Sequence, residues 1–193
     1  ASWIHIDAAW AGPLRLSNKH RTKLSGVEAA DSVAISAHKW FFQPKESGLV
    51  LFRDVLAAHE AISFGADYLA TPNIGVLGSH GANAVPLLAT LLSWGRVGLE
   101  QRIDSAMQLA DDLVTYLCAQ EQVSVYGPNV SGVILWRIKE NIDMRAIIEL
   151  LPTGLASHTH VDETDWIRHV AANPNADMNC ITAAIGQTLR EVS

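Results

Sequence analysis

The stretch that decides the fold is residues 32–40, which read SVAISAHKW. Its first five residues form a short β-rich run, and two similar runs flank it, Ser2–Ile6 upstream and Gly48–Phe52 downstream. Runs of this length and composition, each ending at polar residues, are typical of buried strands. The sequence therefore predicts three strands, with Lys39 in the loop of a tight strand pair.

Reactive side chains follow two of these predicted strands. Asp7 comes directly after the first strand, and His38 and Lys39 follow the second. In open α/β sheets, ligands bind outside the carboxyl ends of the strands, so these side chains are expected to share one crevice. On spacing alone, an ordinary surface aspartate and surface lysine remain an open alternative.

Helical patterns and a long loop separate this region from the rest of the chain. A short helix is expected within residues 25–31, a longer one over Val55–Phe64, and a loop rich in Gly, Pro, Asn and Ser over Gly65–Gly81. Apolar residues at helical spacing then predict helices over Ala82–Trp94 and Leu99–Gln120.

The last third of the chain has the pattern of a small α+β unit. The expected order is a strand over Gly132–Ile138, a helix over Met144–Leu151, a β segment near Ser157–Val161 and a helix over Asn179–Glu191. With a boundary near Gly95–Gly98, the sequence predicts two domains, residues 1–96 and 97–193.

Composition restricts the function classes. With 193 residues, 49% hydrophobic and 18% charged, the chain can bury a real core. Its net charge of -6 and its lack of a Lys/Arg-rich block argue against nucleic acid or an anionic membrane as a partner. We expect a small, charged metabolite as the ligand.

Cysteine use and the N-terminus suggest the setting. Cys118 and Cys180 match neither a disulfide framework nor a metal-knuckle spacing, which favours free thiols and a cytoplasmic protein. The apolar runs are too short to span a bilayer. Because the sequence opens at Ala1 and enters a strand pattern almost at once, we expect a piece of a longer polypeptide.

Two motifs together carry a family resemblance. Residues 3–10 read WIHIDAAW, and the later DS and SAHKW pattern lies within residues 31–40. This combination resembles the group II pyridoxal-phosphate (PLP) decarboxylases of fold type I. Further landmarks are Gly78 to Gly81, Trp94 to Arg96, Trp166 to Arg168 and Asn173-Pro174. The implied fold class is α/β: the C-terminal part of the PLP-binding large domain, followed by a small α+β C-terminal domain.

The resemblance implies roles for the two reactive positions. Lys39 would hold PLP through reversible Schiff-base chemistry, which suits a lysine amine. Asp7 would pair with the pyridine nitrogen and keep it protonated, because a nearby anion favours the charged ring. Ala9 resembles the small residue that packs against the cofactor ring.

Further positions follow from the same resemblance. Ser36 matches a residue that hydrogen-bonds the cofactor phosphate, and Ser79 one that reaches the phosphate of the neighbouring subunit; an ordinary turn or cap hydroxyl is the alternative for both. His38 would lie beside the cofactor linkage and orient or protonate an intermediate, unless it is a packing histidine. Tyr68 is the local candidate for a mobile-loop proton donor.

The chain departs from the family pattern in places. Ala11-Gly12 stands where two glycines are usual, and His80 where an arginine is common. The family's phosphate loop and its ring-stacking residue precede the aspartate strand, outside this sequence. The chain alone is therefore expected to lack half of its cofactor site.

The His158-Thr159-His160 segment, with Asp162, has a superficially metal-like spacing. Paired histidines in a polar β segment are more often solvated than metal-bound. We predict no metal site.

The sequence therefore favours a cytoplasmic carboxy-lyase that decarboxylates an amino acid with PLP, possibly L-2,4-diaminobutyrate, as a homodimer or joined to the N-terminal half of the same enzyme. One alternative is a group V aminotransferase or cysteine desulfurase, although Trp10 and the lack of a nearby glutamine count against it. A non-catalytic fragment or partner subunit is the other.

Overall fold

The computed structural model describes residues 3–64, 73–74, 81–140 and 142–192. The chain divides into two compact units, Ala1–Glu100 (unit 1) and Gln101–Ser193 (unit 2). Each unit has its own cluster of buried hydrophobic residues. The domain limits expected from the sequence, 1–96 and 97–193, stay a prediction.

Unit 1 contains the three strands expected from the sequence. They are β1 (His5–Asp7), β2 (Ser32–Ser36) and β3 (Gly48–Phe52), in the order β1-β2-β3. β1 runs parallel to β2, and β3 runs antiparallel to it. Lys39 therefore lies in the connection between two antiparallel neighbours, as predicted.

The first strand is shorter at its start and longer at its end than the predicted Ser2–Ile6. Pairing begins at His5, opposite Ser32, and continues to Asp7. Before it, the Trp3 indole donates to the Ser32 hydroxyl at 2.9 Å, and the Ile4 amide donates to Asp31. The Ile4 carbonyl also accepts from the Asp31 amide at 2.8 Å and from the Ser32 amide at 3.2 Å, so side-chain contacts add to backbone bonds before the strand begins.

The connection from β1 to β2 consists of short turns. Three 3-10 helices occupy it: Gly12–Leu16, Arg21–Leu24 and Val27–Ala29. The helix predicted within residues 25–31 is therefore wrong except for one turn. Gly26 is left-handed, with φ 93°, and Ala30 is extended, so the helix cannot continue in either direction.

Helix α1 (Val55–Ile62) follows β3. Asp54 caps its N-terminus, and the Asp54 side chain accepts a hydrogen bond from the Ala57 amide, the expected role of an aspartate N-cap. The helix was predicted to reach Phe64, but Ser63–Phe64 forms β4, which pairs with β5 (Asn73–Ile74) inside the predicted loop.

The helices predicted over Ala82–Trp94 and Leu99–Gln120 are one helical segment, α2 (Ala84–Cys118), with a kink. The kink is at Gly95, where φ is 58° and ψ is -172°, a conformation that essentially requires glycine. The sequence therefore predicts the break correctly, but the break is shorter than the predicted gap between Trp94 and Leu99.

Unit 2 contains a four-stranded antiparallel sheet in the order β6-β7-β9-β8. Its elements are β6 (Val123–Val125), β7 (Val133–Ile138), α3 (Met144–Leu150), β8 (Ser157–Val161), β9 (Thr164–Val170) and α4 (Met178–Glu191). β6 and β9 were not predicted. The remaining strands and helices begin or end within one residue of their expected limits.

β8 and β9 form a hairpin whose turn lacks glycine. Val161 pairs with Thr164, and the two turn residues, Asp162 and Glu163, have φ values of 50° and 57°. Two-residue turns of this shape favour Asn-Gly or Asp-Gly. The Tyr126 hydroxyl donates to the Asp162 carboxylate at 2.7 Å and so holds the turn in place.

The core of unit 2 includes two polar rings. Trp136 and His169 stack with ring centroids 6.2 Å apart and an interplanar angle of 17°. Among the described residues, Trp136 Nε1 and His169 Nε2 have no hydrogen-bond partner. Burial lowers the pKa of His169 to about 4, and a hydrogen bond to the Leu155 backbone acts in the opposite direction.

No helix in the described parts of the chain is long and apolar enough to cross a membrane.

Gly12 is fixed by its contact with β2. A Cβ atom added to Gly12 would lie 2.8 Å from Ile35 Cγ1, closer than side chains tolerate. We predict that Gly12→Ala destabilises the protein by about 1–3 kcal/mol, measured by denaturant unfolding. Gly48→Ala is the matched control, because its Cβ would lie 3.8 Å from the Ile35 carbonyl. Equal stability of both variants would contradict this packing.

Protonation of His169 is expected to oppose folding. The pKa of His169 in the folded protein, about 4, lies below the unfolded value of about 6.5, so the free energy of unfolding has its full value above pH 6.5. As the pH falls from about 6.5 to 4, the unfolded state binds a proton that the folded state does not, and the free energy of unfolding falls by about 3 kcal/mol at most. In stability measurements over this range, His169→Gln and His169→Phe should both flatten the dependence. Curves parallel to the wild type would argue against a buried neutral imidazole.

Candidate functional site

The parallel pairing of β1 with β2 brings the two predicted motifs to one edge of the sheet. Asp7 is the register partner of Ala34. Beyond it, the Ala8 amide donates to the Ala34 carbonyl at 2.9 Å, and the Ser36 amide donates to the Ala9 carbonyl at 3.2 Å. The pairing thus continues past the end of β1 and places its exit beside that of β2.

Asp7 is exposed at this edge, but its carboxylate is oriented. Its Oδ1 accepts a hydrogen bond from the Ala9 amide at 2.9 Å. Ala9 itself is half-buried. The arrangement presents a negative charge at the end of β1.

Lys39 lies in a tightly turned loop that follows β2. Its amide donates to the Ser36 carbonyl at 3.1 Å, and its carbonyl accepts from the Phe42 amide at 3.0 Å. Both of its backbone polar groups are therefore satisfied within the loop. The Lys39 residue is half-buried, as is Ser36, whereas His38 is exposed.

The residues on either side of Lys39 are anchored in the core. Ala37 and Trp40 are completely buried. The Trp40 ring packs against Trp10 with centroids 5.1 Å apart, and Phe42, with φ 58°, contacts Trp94 at 5.9 Å. Anchors before and after Lys39 limit where its side chain can go.

The base of the loop is closed by backbone hydrogen bonds. The Ala37 amide donates to the Ser47 carbonyl at 3.0 Å, and the Gln43 amide donates to the Ala37 carbonyl at 3.1 Å. Sequence reasoning did not single out Gln43. A polar side chain directly after three aromatic residues, and before Pro44, is the signal that could have found it.

Two predicted site residues lie outside the described residues. They are Ser79 and the loop tyrosine, Tyr68. The five other predicted positions, Asp7, Ala9, Ser36, His38 and Lys39, all lie at the exits of β1 and β2. Their catalytic and cofactor-binding roles remain predictions.

The two histidines of the His158–His160 segment hydrogen-bond to Asp165 and not to Asp162, the residue that gives the segment its metal-like spacing. His158 Nε2 and His160 Nδ1 lie 2.9 and 2.8 Å from the same Asp165 oxygen, whereas Asp162 bonds to Tyr126. Hydrogen bonds from His160 and His158 lower the pKa of Asp165. Within the described ranges, no group of three or more His, Cys, Asp or Glu residues is placed to hold a metal ion.

Comparison with known proteins covers both sequence and fold. The chain is 29% identical over 214 residues to L-2,4-diaminobutyrate decarboxylase of Rhizobium meliloti (strain 1021), a match that covers 98% of this chain and 43% of that protein. The chain thus spans less than half the length of this relative.

Solved structures share its fold. Mouse CSAD in its apo form superposes with a TM-score of 0.80 at 23% identity, covering 96% of this chain and 44% of that one. Oryza sativa TDC with PLP and tryptamine gives a TM-score of 0.80 at 20% identity, covering 98% and 45%. These likenesses confirm the α/β fold class expected from the sequence.

The family is shown by a sequence model. The model described as the pyridoxal-dependent decarboxylase conserved domain matches residues 1–139, which include both motifs of the site. The family resemblance noted from the two motifs is therefore confirmed. This chain belongs to the pyridoxal-dependent decarboxylase family.

Proposed function

We propose that the protein containing this chain uses PLP to remove the α-carboxylate of an amino acid, with Lys39 holding the cofactor. The observation that carries the proposal is the parallel register of β1 and β2. It brings Asp7, at the end of β1, and the Lys39 loop, which follows β2, to one edge of the sheet. Membership of the pyridoxal-dependent decarboxylase family supports the reaction type.

The chemistry of the residues at this edge fits PLP. The edge offers a half-buried amine at Lys39 for an aldehyde, an oriented carboxylate at Asp7 for a pyridinium, and a hydroxyl at Ser36 for a phosphate oxygen. Ala9 adds a side chain small enough to leave room for a flat ring. These four groups fit the aldehyde, the ring nitrogen, the phosphate and the ring of PLP, and they form this chain's part of the proposed site.

Each residue has a separate task in the proposed reaction. Lys39 would hold the cofactor through its side-chain amine, which is suited to reversible imine chemistry with an aldehyde. Asp7 holds a proton on the pyridine nitrogen, because its negative charge favours the positively charged ring. PLP, when bound, accepts the electron pair left on the α-carbon as carbon dioxide departs.

His38 and the two serines complete the proposed site. The exposed His38 imidazole, next to Lys39, can hold or move a proton. Ser36 would donate to the cofactor phosphate. Ser79 is proposed to reach the phosphate of the neighbouring subunit.

L-2,4-diaminobutyrate is our proposed substrate. The relative from Rhizobium meliloti, named for this substrate, supports it. We propose a cytoplasmic homodimer, with residues 1–96 completing the PLP-binding large domain and residues 97–193 forming the small domain. The family match favours a decarboxylase over the aminotransferase or desulfurase alternative.

The cofactor linkage is tested with Lys39→Ala in the full-length, PLP-supplied protein. We expect this variant to lose the visible absorbance of lysine-bound PLP and the release of carbon dioxide from L-2,4-diaminobutyrate. Borohydride reduction of the wild type should add the cofactor mass to the Lys39 peptide.

The matched control is Lys45→Ala, which removes an exposed lysine from the same loop. It should retain both the absorbance and the activity. A wild type without the absorbance, or with cofactor mass on another lysine, would contradict the assignment of Lys39.

The role of Asp7 is tested with Asp7→Asn, which removes the charge but keeps the shape. Without the anion the ring nitrogen loses its proton more readily, and we expect carbon dioxide release to fall by about 10²–10⁴-fold. Glu46→Gln, at an exposed position in the Lys39 loop, removes one negative charge as the control. Similar activities of the two variants would speak against a specific role for Asp7.

A further inference from the structure

The loop that carries Lys39 contains one deeply buried amide side chain. Gln43 is only 8% exposed, although it follows three aromatic residues in a surface connection. Its Nε2 donates to the Phe41 carbonyl at 2.6 Å and to the Thr90 hydroxyl at 2.9 Å. The side chain therefore joins the loop to α2 through two hydrogen bonds.

The position of Phe41 explains why these bonds bear on Lys39. Phe41 lies in the turn closed by the Lys39 carbonyl and the Phe42 amide, and its side chain belongs to the buried cluster of unit 1. The Gln43 backbone amide also closes the base of the loop on Ala37. One residue thus fixes the loop at its base, at the turn after Lys39 and on α2.

The four-carbon stem of lysine is flexible and does not fix the amine by itself. The loop backbone sets the point from which the stem extends, so a shift of the loop changes the positions that the amine can reach. Aromatic packing at Trp40 and Phe42 also holds the loop in place. The Gln43 amide adds directional contacts, since hydrogen bonds constrain angles as well as distances.

We propose that Gln43 is a positioning residue for Lys39, and that its amide, held by Thr90, sets the direction in which the lysine amine meets the cofactor. This inference rests on the proposed function. Gln43 contacts the backbone of the Lys39 loop and acts only through it.

Two nearly isosteric changes test the two hydrogen bonds. Gln43→Glu replaces the Nε2 donor of both bonds with a carboxylate oxygen, so that the contact with the Phe41 carbonyl becomes repulsive. Thr90→Val removes the acceptor on α2 and leaves the bond to Phe41 intact. The matched control is Gln120→Leu, which removes a comparable bond, from Gln120 Nε2 to the Tyr116 carbonyl at 3.1 Å, in unit 2.

The experiment uses the full-length protein supplied with PLP and L-2,4-diaminobutyrate. The readouts are kcat and KM for carbon dioxide release, and the pH midpoint of the absorbance of lysine-bound PLP. We expect Gln43→Glu to lower kcat about 10- to 100-fold, with little change in KM and a displaced pH midpoint. Thr90→Val should change both in the same direction but by less, and Gln120→Leu should change neither.

The outcomes are distinguishable. Wild-type kcat and pH midpoint in both Gln43→Glu and Thr90→Val would overturn the inference. So would a loss of thermal stability and bound PLP without a change in kcat per bound cofactor, since that is a structural role only. If Gln43→Glu does not fold, Thr90→Val decides the question. A wild type that forms no Lys39-linked PLP contradicts the proposed function itself.

Discussion

The parallel pairing of β1 with β2 is the constraint on which the site depends. The bonds from the Ala8 amide to Ala34 and from the Ser36 amide to Ala9 extend this pairing beyond the last residue of β1. A slip of one residue would turn Asp7 to the other face of the sheet, because side chains alternate along a strand. The backbone ladder therefore decides that the carboxylate and the Lys39 loop share an edge, before any side chain contributes.

In the loop after β2, apolar contacts and hydrogen bonds have different roles. Trp40 packs against Trp10 and Phe42 packs against Trp94, and this aromatic packing stabilises the loop. Apolar contacts tolerate small rotations, whereas a buried amide must keep its partners or bear the cost of losing them. Position 43 therefore needs a side chain that can make these hydrogen bonds, and in our proposal this requirement is what positions Lys39.

The sequence predicts local features well and distant pairings poorly. The strand around Val33 and Ile35 and the break near Gly95 follow from composition and glycine chemistry, which are local properties. The hydrogen bond from Gln43 to Thr90 joins residues 47 positions apart, and a local sequence pattern cannot predict it. β9 was missed because its hairpin turn, Asp162-Glu163, lacks the glycine that usually marks such a turn. Asp162 is close to His158 and His160 in sequence, but the hairpin register pairs His160 with Asp165, which hydrogen-bonds to both histidines.

The most direct test of the account is a crystal structure of the full-length protein with PLP bound. The account predicts a covalent link from Lys39 Nζ to the cofactor aldehyde carbon, with an Asp7 carboxylate oxygen within about 3.2 Å of the pyridine nitrogen. A cofactor linked to another lysine, or a pyridine nitrogen without Asp7 beside it, would contradict the claim that this sheet edge is the PLP site.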